Sequence, residues 1–141
     1  MYNSPFTFNG IVYINVEQYY MASKAKYFGD DITLKKIMCS TNPYEIKKLG
    51  RQVRPFNDHV WKKRCKSIME QGIIAKFSNN KHLLSVLKST GKSLIVEASV
   101  YDKFWGSGLN VDNSCRIKQQ QWPGRNHLGK ILTSVRDQLS T

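Results

Sequence analysis

The sequence is poor in cysteine and in acid, and it has no long apolar run. Its three cysteines, Cys39, Cys65 and Cys115, are odd in number and far apart. They suit neither a disulfide framework nor a C-x-x-C metal or redox pair, and buried or free thiols are the expectation. No stretch approaches the roughly 18 to 20 apolar residues of a membrane-spanning helix, and the first residues lack the basic-then-apolar pattern of a secretory signal. These absences predict a soluble protein of the cytoplasm with no membrane partner. The chain also lacks a Walker loop, G-x-G-x-x-G, H-E-x-x-H and G-x-S-x-G, which argues against P-loop phosphoryl transfer, hydride transfer, zincin proteolysis and hydrolase-type serine chemistry. His59, His82 and His127 are scattered without the i, i+4 spacing of a helical metal pair and read as surface or capping residues. Neither a metal nor a cofactor is assigned.

What is present is 141 residues, 40% of them apolar and 11% aromatic, enough for one compact domain over residues 1–141 with a real core. Lys and Arg number 22 against 10 Asp and Glu, a formal charge of +12. Such an excess attracts polyanions and supplies the sequence-independent part of nucleic-acid affinity, although small proteins are also basic for solubility alone.

The pattern predicts an α+β fold in which helices dominate a small sheet. Phe6-Thr7-Phe8 and Ile11-Val12-Tyr13, joined by Asn9-Gly10, read as a tight hairpin. Asn15 caps a helix from about Val16 to Phe28, and Asp30 or Asp31 caps a shorter one through Met38. Asn42-Pro43 opens a third, closed by Gly50. Asn57 or Asp58 opens an amphipathic helix ended by Gly72, followed by short helices at 73–77 and 81–87. The β-branched run 93–98 reads as a buried strand, with the hairpin as a possible partner. Residues 110–121 are polar and read as a lid or plain surface, and Asn126 caps a last helix with an apolar stripe.

Three sets of residues suggest chemistry. Glu17 and Lys24 stand two helical turns apart with Tyr20 between them, on one face. A carboxylate beside a lysine serves acid–base or nucleophilic catalysis, and the same spacing also suits a solvated helix with unrelated charges. Asp102 precedes Trp105-Gly106-Ser107-Gly108, where glycines let backbone approach a ligand or, equally, wrap a core tryptophan. Trp61, Arg64, Lys76 and Phe77 mix rings and cations, as a nucleotide site or an amphipathic helix does.

Ser4-Pro5-Phe6, Val16-Glu17-Gln18-Tyr19-Tyr20 with Lys24-Ala25, Asn42-Pro43 with Lys47 and Gly50-Arg51, Trp61 with Arg64, and Ala75-Lys76-Phe77 follow one another here. Thr90-Gly91, Glu97-Ala98, Asp102 with Trp105-Gly106-Ser107-Gly108-Leu109, and Trp122-Pro123-Gly124-Arg125-Asn126 with Leu128-Gly129-Lys130 come after them. In that order the chain resembles the YbiA-like, or NADAR, family along nearly its whole length. The resemblance implies a compact helix-rich α+β domain and an N-glycosidase that hydrolyses a ribose C1–N bond. One branch of that family acts on phosphoribosylated riboflavin intermediates. Another removes ADP-ribose from guanine in nucleic acid, reversing the work of toxin-type ADP-ribosyltransferases.

The resemblance also implies roles. Glu17 stabilises charge at the anomeric carbon or activates the attacking group. Lys24 attacks C1 as a free amine or binds phosphate as a cation. Asp102 is the second carboxylate, holding ribose hydroxyls or moving a proton. Trp61 and Trp105 wall the pocket, Arg51 and Lys76 meet phosphates, Asn126 orients polar groups, and Tyr20 and Gly106 complete the substrate-contacting set. The leading expectation is removal of ADP-ribose from guanine in DNA or RNA, with Lys62, Lys63, Arg64 and Lys66 holding the strand. The alternatives are a small riboflavin-pathway substrate and a non-catalytic ADP-ribose or NAD-binding module. Two departures from the family bear on this: Gln18 replaces a frequent histidine, and the start at Met1-Tyr2-Asn3 omits most of an upstream segment.

Overall fold

A computed structural model describes residues 4–100 and 102–139, with the side chain of Arg116 set aside; the start at Met1-Tyr2-Asn3 lies outside the described residues. The chain forms two compact units, 1–81 and 82–141.

The first unit opens with the expected hairpin. Strands β1 (Phe6–Phe8) and β2 (Ile11–Tyr13) pair antiparallel, Phe6 opposite Tyr13 and Phe8 opposite Ile11. Asn9 and Gly10 take φ of 50° and 78°, the left-handed pair that a two-residue hairpin turn requires. Four helices follow: α1 (Val16–Tyr27), α2 (Asp31–Cys39), α3 (Pro43–Arg51) and α4 (Asp58–Ser78). Each begins with an Asn or Asp whose side chain accepts from an otherwise unbonded N–H of the first turn: Asn15, Asp30, Asn42 and Asn57. Tyr19 is the centre of the hairpin's packing. Its ring meets Phe6, Phe8 and Tyr13 at 5.3–5.9 Å between centroids, and its hydroxyl donates to the Ile68 carbonyl at 2.9 Å.

Two expected helix ends are corrected. Gly50 lies inside α3, and Gly72 lies inside an unbroken 21-residue α4 that absorbs the separate helix expected at 73–77. Both glycines are there for close packing. A Cβ on Gly50 would strike the Met21 sulfur, and one on Gly72 would strike the Tyr19 ring. A helix tolerates glycine at about 1 kcal/mol against alanine when another element must come this near.

The second unit holds most of α5 (Lys81–Lys88), then α6 (Val111–Arg116), a short 3-10 turn at Gln119–Gln121 and α7 (His127–Leu139). The polar stretch 110–121 thus carries helical structure, capped by Asn110 through the Asn113 N–H. Leu128, Ile131 and Val135 of α7 are buried, as their stripe predicts.

The expected strand at 93–98 is absent. Residues 94–99 have no regular structure, and their polar backbone is met by side chains and by a loop. Ile95 N–H donates to Thr133, Glu97 N–H donates to Asn126 Oδ1, the Asn126 amide donates to Ile95 O, and Ser107 N–H donates to Glu97 O. The side chain of Asn126 therefore faces this segment rather than capping α7, and its own φ is 53°. Nor is the segment buried, since Ser93 and Leu94 are exposed and 95–98 only half-buried, and its hydrogen bonds come from α7 and the loops around it rather than from a neighbouring strand.

Candidate active site

In the first unit α1 carries Glu17, Tyr20 and Lys24 along one side, with Glu17 and Lys24 half-buried and Tyr20 7% exposed. The indole N–H of Trp61, on α4, donates to the Tyr20 hydroxyl at 3.0 Å. Burial above all, then the neighbouring Cys65 and the charge of Glu17, pushes the Tyr20 phenol far above its ordinary range, so it stays neutral. Trp61 is itself 6% exposed and ringed by Tyr20, Tyr27 and Phe28 at 5.4, 6.1 and 6.0 Å. The N-terminal halves of α1 and α4 thus bring together one carboxylate, one neutral phenol and one indole.

Lys24 sits further along the same helix. Its ammonium lies 4.4 Å from the centre of the Phe56 ring, in a cation–π contact. Burial lowers its pKa from that of an ordinary lysine, and the nearby guanidinium charges of Arg54 and Arg51 lower it further, with Asp58 opposing them. Arg51, the last residue of α3, is exposed. Lys76 is half-buried near the C-terminal end of α4, 5.6 Å from the Phe77 ring, and burial lowers its pKa as well.

Gln18 is not part of this face. It is 2% exposed, accepts from Ile14 N–H at 2.8 Å and turns its amide toward the carbonyls of Ile37 and Ser40 at 3.2 and 3.4 Å. The side chain fastens the start of α1 to the end of α2, so glutamine here meets a structural demand that needs no titration.

In the second unit, Asp102, Trp105, Gly106 and Asn126 belong to two interlocked loops. One carboxylate oxygen of Asp102 accepts from the N–H groups of Phe104 and Trp105 at 3.0 and 2.8 Å, folding a turn. Five backbone bonds then run from 124–128 to the 103–107 carbonyls, Gly124 to Ser107 and Asn126 to Gly106 among them. Gly106 is glycine because a Cβ there would come within 2.7 Å of Glu97 O and 2.8 Å of Asp102 O; one on Gly124 would strike Gly106 O. The glycines expected to let backbone approach a ligand let the two loops approach each other. Asn126 is fully buried, its amide bonded to 95–97, so it fixes Glu97 in place.

Reading the sequence alone misses Arg54, Phe56 and Arg136. Arg136, 2% exposed, donates to Thr90 and to the Ser93 carbonyl and pairs with Asp137. An arginine on the apolar side of a helix was the available signal. Nothing local marks Arg54 or Phe56, which are defined by what the turn after α3 packs against.

The chain matches the NADAR domain over residues 1–140. It is 45% identical to N-glycosidase R617 of Acanthamoeba polyphaga mimivirus, over 89% of this chain and 74% of that protein. It is 34% identical to N-glycosidase Npun_R5314 of Nostoc punctiforme, over 88% and 72%. More distant relatives in Zea mays and Vibrio vulnificus, 32% and 30% identical, are named riboflavin biosynthesis proteins, and the match spans only 19% and 34% of their lengths. The NMR structure of Escherichia coli YbiA has the same fold, with a TM-score of 0.78 at 24% identity over 98% of this chain and 74% of that one. The chain belongs to the NADAR family.

Proposed function

We propose that this chain is an N-glycosidase that hydrolyses the bond between ribose C1 and a base nitrogen, and that its substrate is guanine bearing ADP-ribose in DNA or RNA. The observation that carries the reading is on α1: a half-buried amine, made less basic by burial and by Arg54 and Arg51, two turns from a carboxylate on the same side. A lysine in that condition gives up its proton more easily than a solvated lysine does.

In this reading Nζ of Lys24 attacks C1 and the C1–N bond breaks. The base leaves with that electron pair and takes up a proton. The ribose ring opens to a Schiff base on Lys24, and water adds to release ADP-ribose and restore the amine. Glu17 stabilises positive charge at C1 as the base departs. In the first unit Trp61 flanks the substrate, Arg51 and Lys76 neutralise its phosphates, and Tyr20 contributes a neutral hydroxyl. The resemblance to the family also gives Asp102 a carboxylate's role, toward ribose hydroxyls or a proton, and Trp105 that of a ring. Gly106 and Asn126 contribute by holding residues 95–97 and the 102–107 loop in shape. The exposed cations Lys62, Lys63, Arg64 and Lys66 on α4 favour a nucleic-acid strand as the carrier of the base. A toxin-type ADP-ribosyltransferase that writes the mark is the matching counterpart.

A second reading, a phosphoribosylated riboflavin intermediate as substrate, is favoured by the relatives named for riboflavin biosynthesis. Parallel kcat/KM measurements on an ADP-ribosyl-guanine oligonucleotide and on a phosphoribosyl-aminopyrimidine separate the two. The proposal expects the oligonucleotide to win by at least about tenfold; preference for the pyrimidine overturns the nucleic-acid assignment and keeps the bond class.

A further inference from the structure

Asp30 stands at a junction of three elements. Its Oδ1 accepts from Thr33 N–H and caps α2, while its Oδ2 accepts from the backbone N–H of Arg54 at 3.0 Å, in the turn after α3. The guanidinium of Arg54 folds back on that turn, donating to the carbonyls of Val53 at 2.6 Å and Arg51 at 3.3 Å. Arg51 is the last residue of α3, so the cation also meets the negative end of that helix. Two residues on, Phe56 packs edge-on against Phe28 at 5.1 Å and carries the Lys24 ammonium at 4.4 Å. The hydrogen bonds therefore hold a guanidinium and an aromatic face beside one amine.

We infer that the turn 52–56 is a positioning device for Lys24, in which Phe56 seats the side chain and Arg54, locked by Asp30 and by the end of α3, sets a second positive charge near the amine. The two residues act in opposite directions. The ring favours the ammonium, and the guanidinium favours the neutral amine. Together they keep Lys24 in one place while leaving its proton easy to lose. The other charges acting on it are Arg51 of α3 and Asp58 at the start of α4; Glu17 stands two turns earlier on α1, and Asp30 is engaged with Thr33 and Arg54. The role of the device in catalysis rests on the reading of Lys24 as the nucleophile.

The test follows the 13Cε resonance of Lys24 across pH in isotope-labelled protein without substrate, with the acidic limb of kcat/KM measured alongside on an ADP-ribosyl-guanine oligonucleotide. Arg54→Gln is expected to raise the Lys24 midpoint by roughly half a pH unit, Arg54→Lys to keep it near its original value, and Phe56→Leu to lower it. The acidic limb is expected to move with each. A merely structural role would not move the midpoint in opposite directions in two folded variants. An unchanged midpoint in folded Arg54→Gln, or a fall in it, overturns the inference. If Arg54→Gln does not fold, the native protein decides: added salt screens the exposed guanidinium and must raise the midpoint, and no rise overturns the inference. Midpoints that move as expected while the activity profile stays fixed support the device and contradict Lys24 as the nucleophile.

Discussion

A carboxylate and an amine on one helix face are useful only if they stay chemically distinct, and here their surroundings keep them so. Glu17 lies near a phenol that burial holds neutral. Lys24 loses part of its basicity to burial and to two arginines. The account assigns Glu17 to the charge that develops at C1, an interaction made chiefly in the transition state. Glu17→Ala is therefore expected to lower kcat by roughly 10²–10⁴-fold while the affinity for free ADP-ribose changes by less than about threefold. Isothermal titration beside single-turnover kinetics checks this. A variant that binds normally and turns over normally removes Glu17 from the chemistry.

At the scale of elements, glycine positions decide how closely helices approach. Gly50 and Gly72 both sit inside helices, and replacement by alanine would gain about 1 kcal/mol of helix propensity at either. Their neighbours differ. Met21 meets Gly50 with the flexible end of its side chain, whereas Gly72 faces a Tyr19 ring held by three aromatic contacts and a hydrogen bond. Gly72→Ala is expected to cost about 1–3 kcal/mol of stability and Gly50→Ala less than about 1 kcal/mol, read from urea unfolding. Equal losses would contradict this account of the α1–α4 packing.

The same contrast explains what the sequence made legible. The hairpin, α1 to α3 and the apolar stripe of α7 follow from local chemistry: Asn-Gly turns, Asn and Asp caps, and periodicity. Gly50 and Gly72 look locally like stop signals, and only their tertiary neighbours show otherwise. Residues 93–98 carry a strand's composition, but Thr133 and Asn126, 38 and 29 residues along the chain from their partners Ile95 and Glu97, supply hydrogen bonds to them. Glu17, Tyr20 and Lys24 were legible because one helix sets their spacing. Arg54 and Phe56 were not, because a turn brings them to Lys24 through a bond from Asp30, 24 residues earlier.

For the whole molecule, the dominant property is charge. The excess of +12 includes Lys62, Lys63, Arg64 and Lys66, all exposed on α4, with Lys62 paired to Asp58 at 3.1 Å. An exposed pair of this kind holds Lys62 only weakly. If these cations meet phosphates, affinity for an unmodified oligonucleotide falls steeply with salt, by a log–log slope of roughly −0.7 to −0.9 per phosphate contact. Lys63→Glu with Lys66→Glu is expected to flatten that slope by about two contacts and to leave turnover of a single ADP-ribosyl nucleoside unchanged. An unaltered slope places the strand elsewhere on the molecule.

The central claim is hydrolysis of a base–ribose bond through Lys24. Its most direct measurement is a mass assay on an oligonucleotide carrying ADP-ribosyl guanine, with wild-type protein and Lys24→Ala in parallel. The account predicts release of free ADP-ribose and intact guanine by the wild type, and none above background by the variant. Undiminished release by Lys24→Ala would contradict the role of the lysine, and tight ADP-ribose binding without release by the wild type would contradict the activity itself.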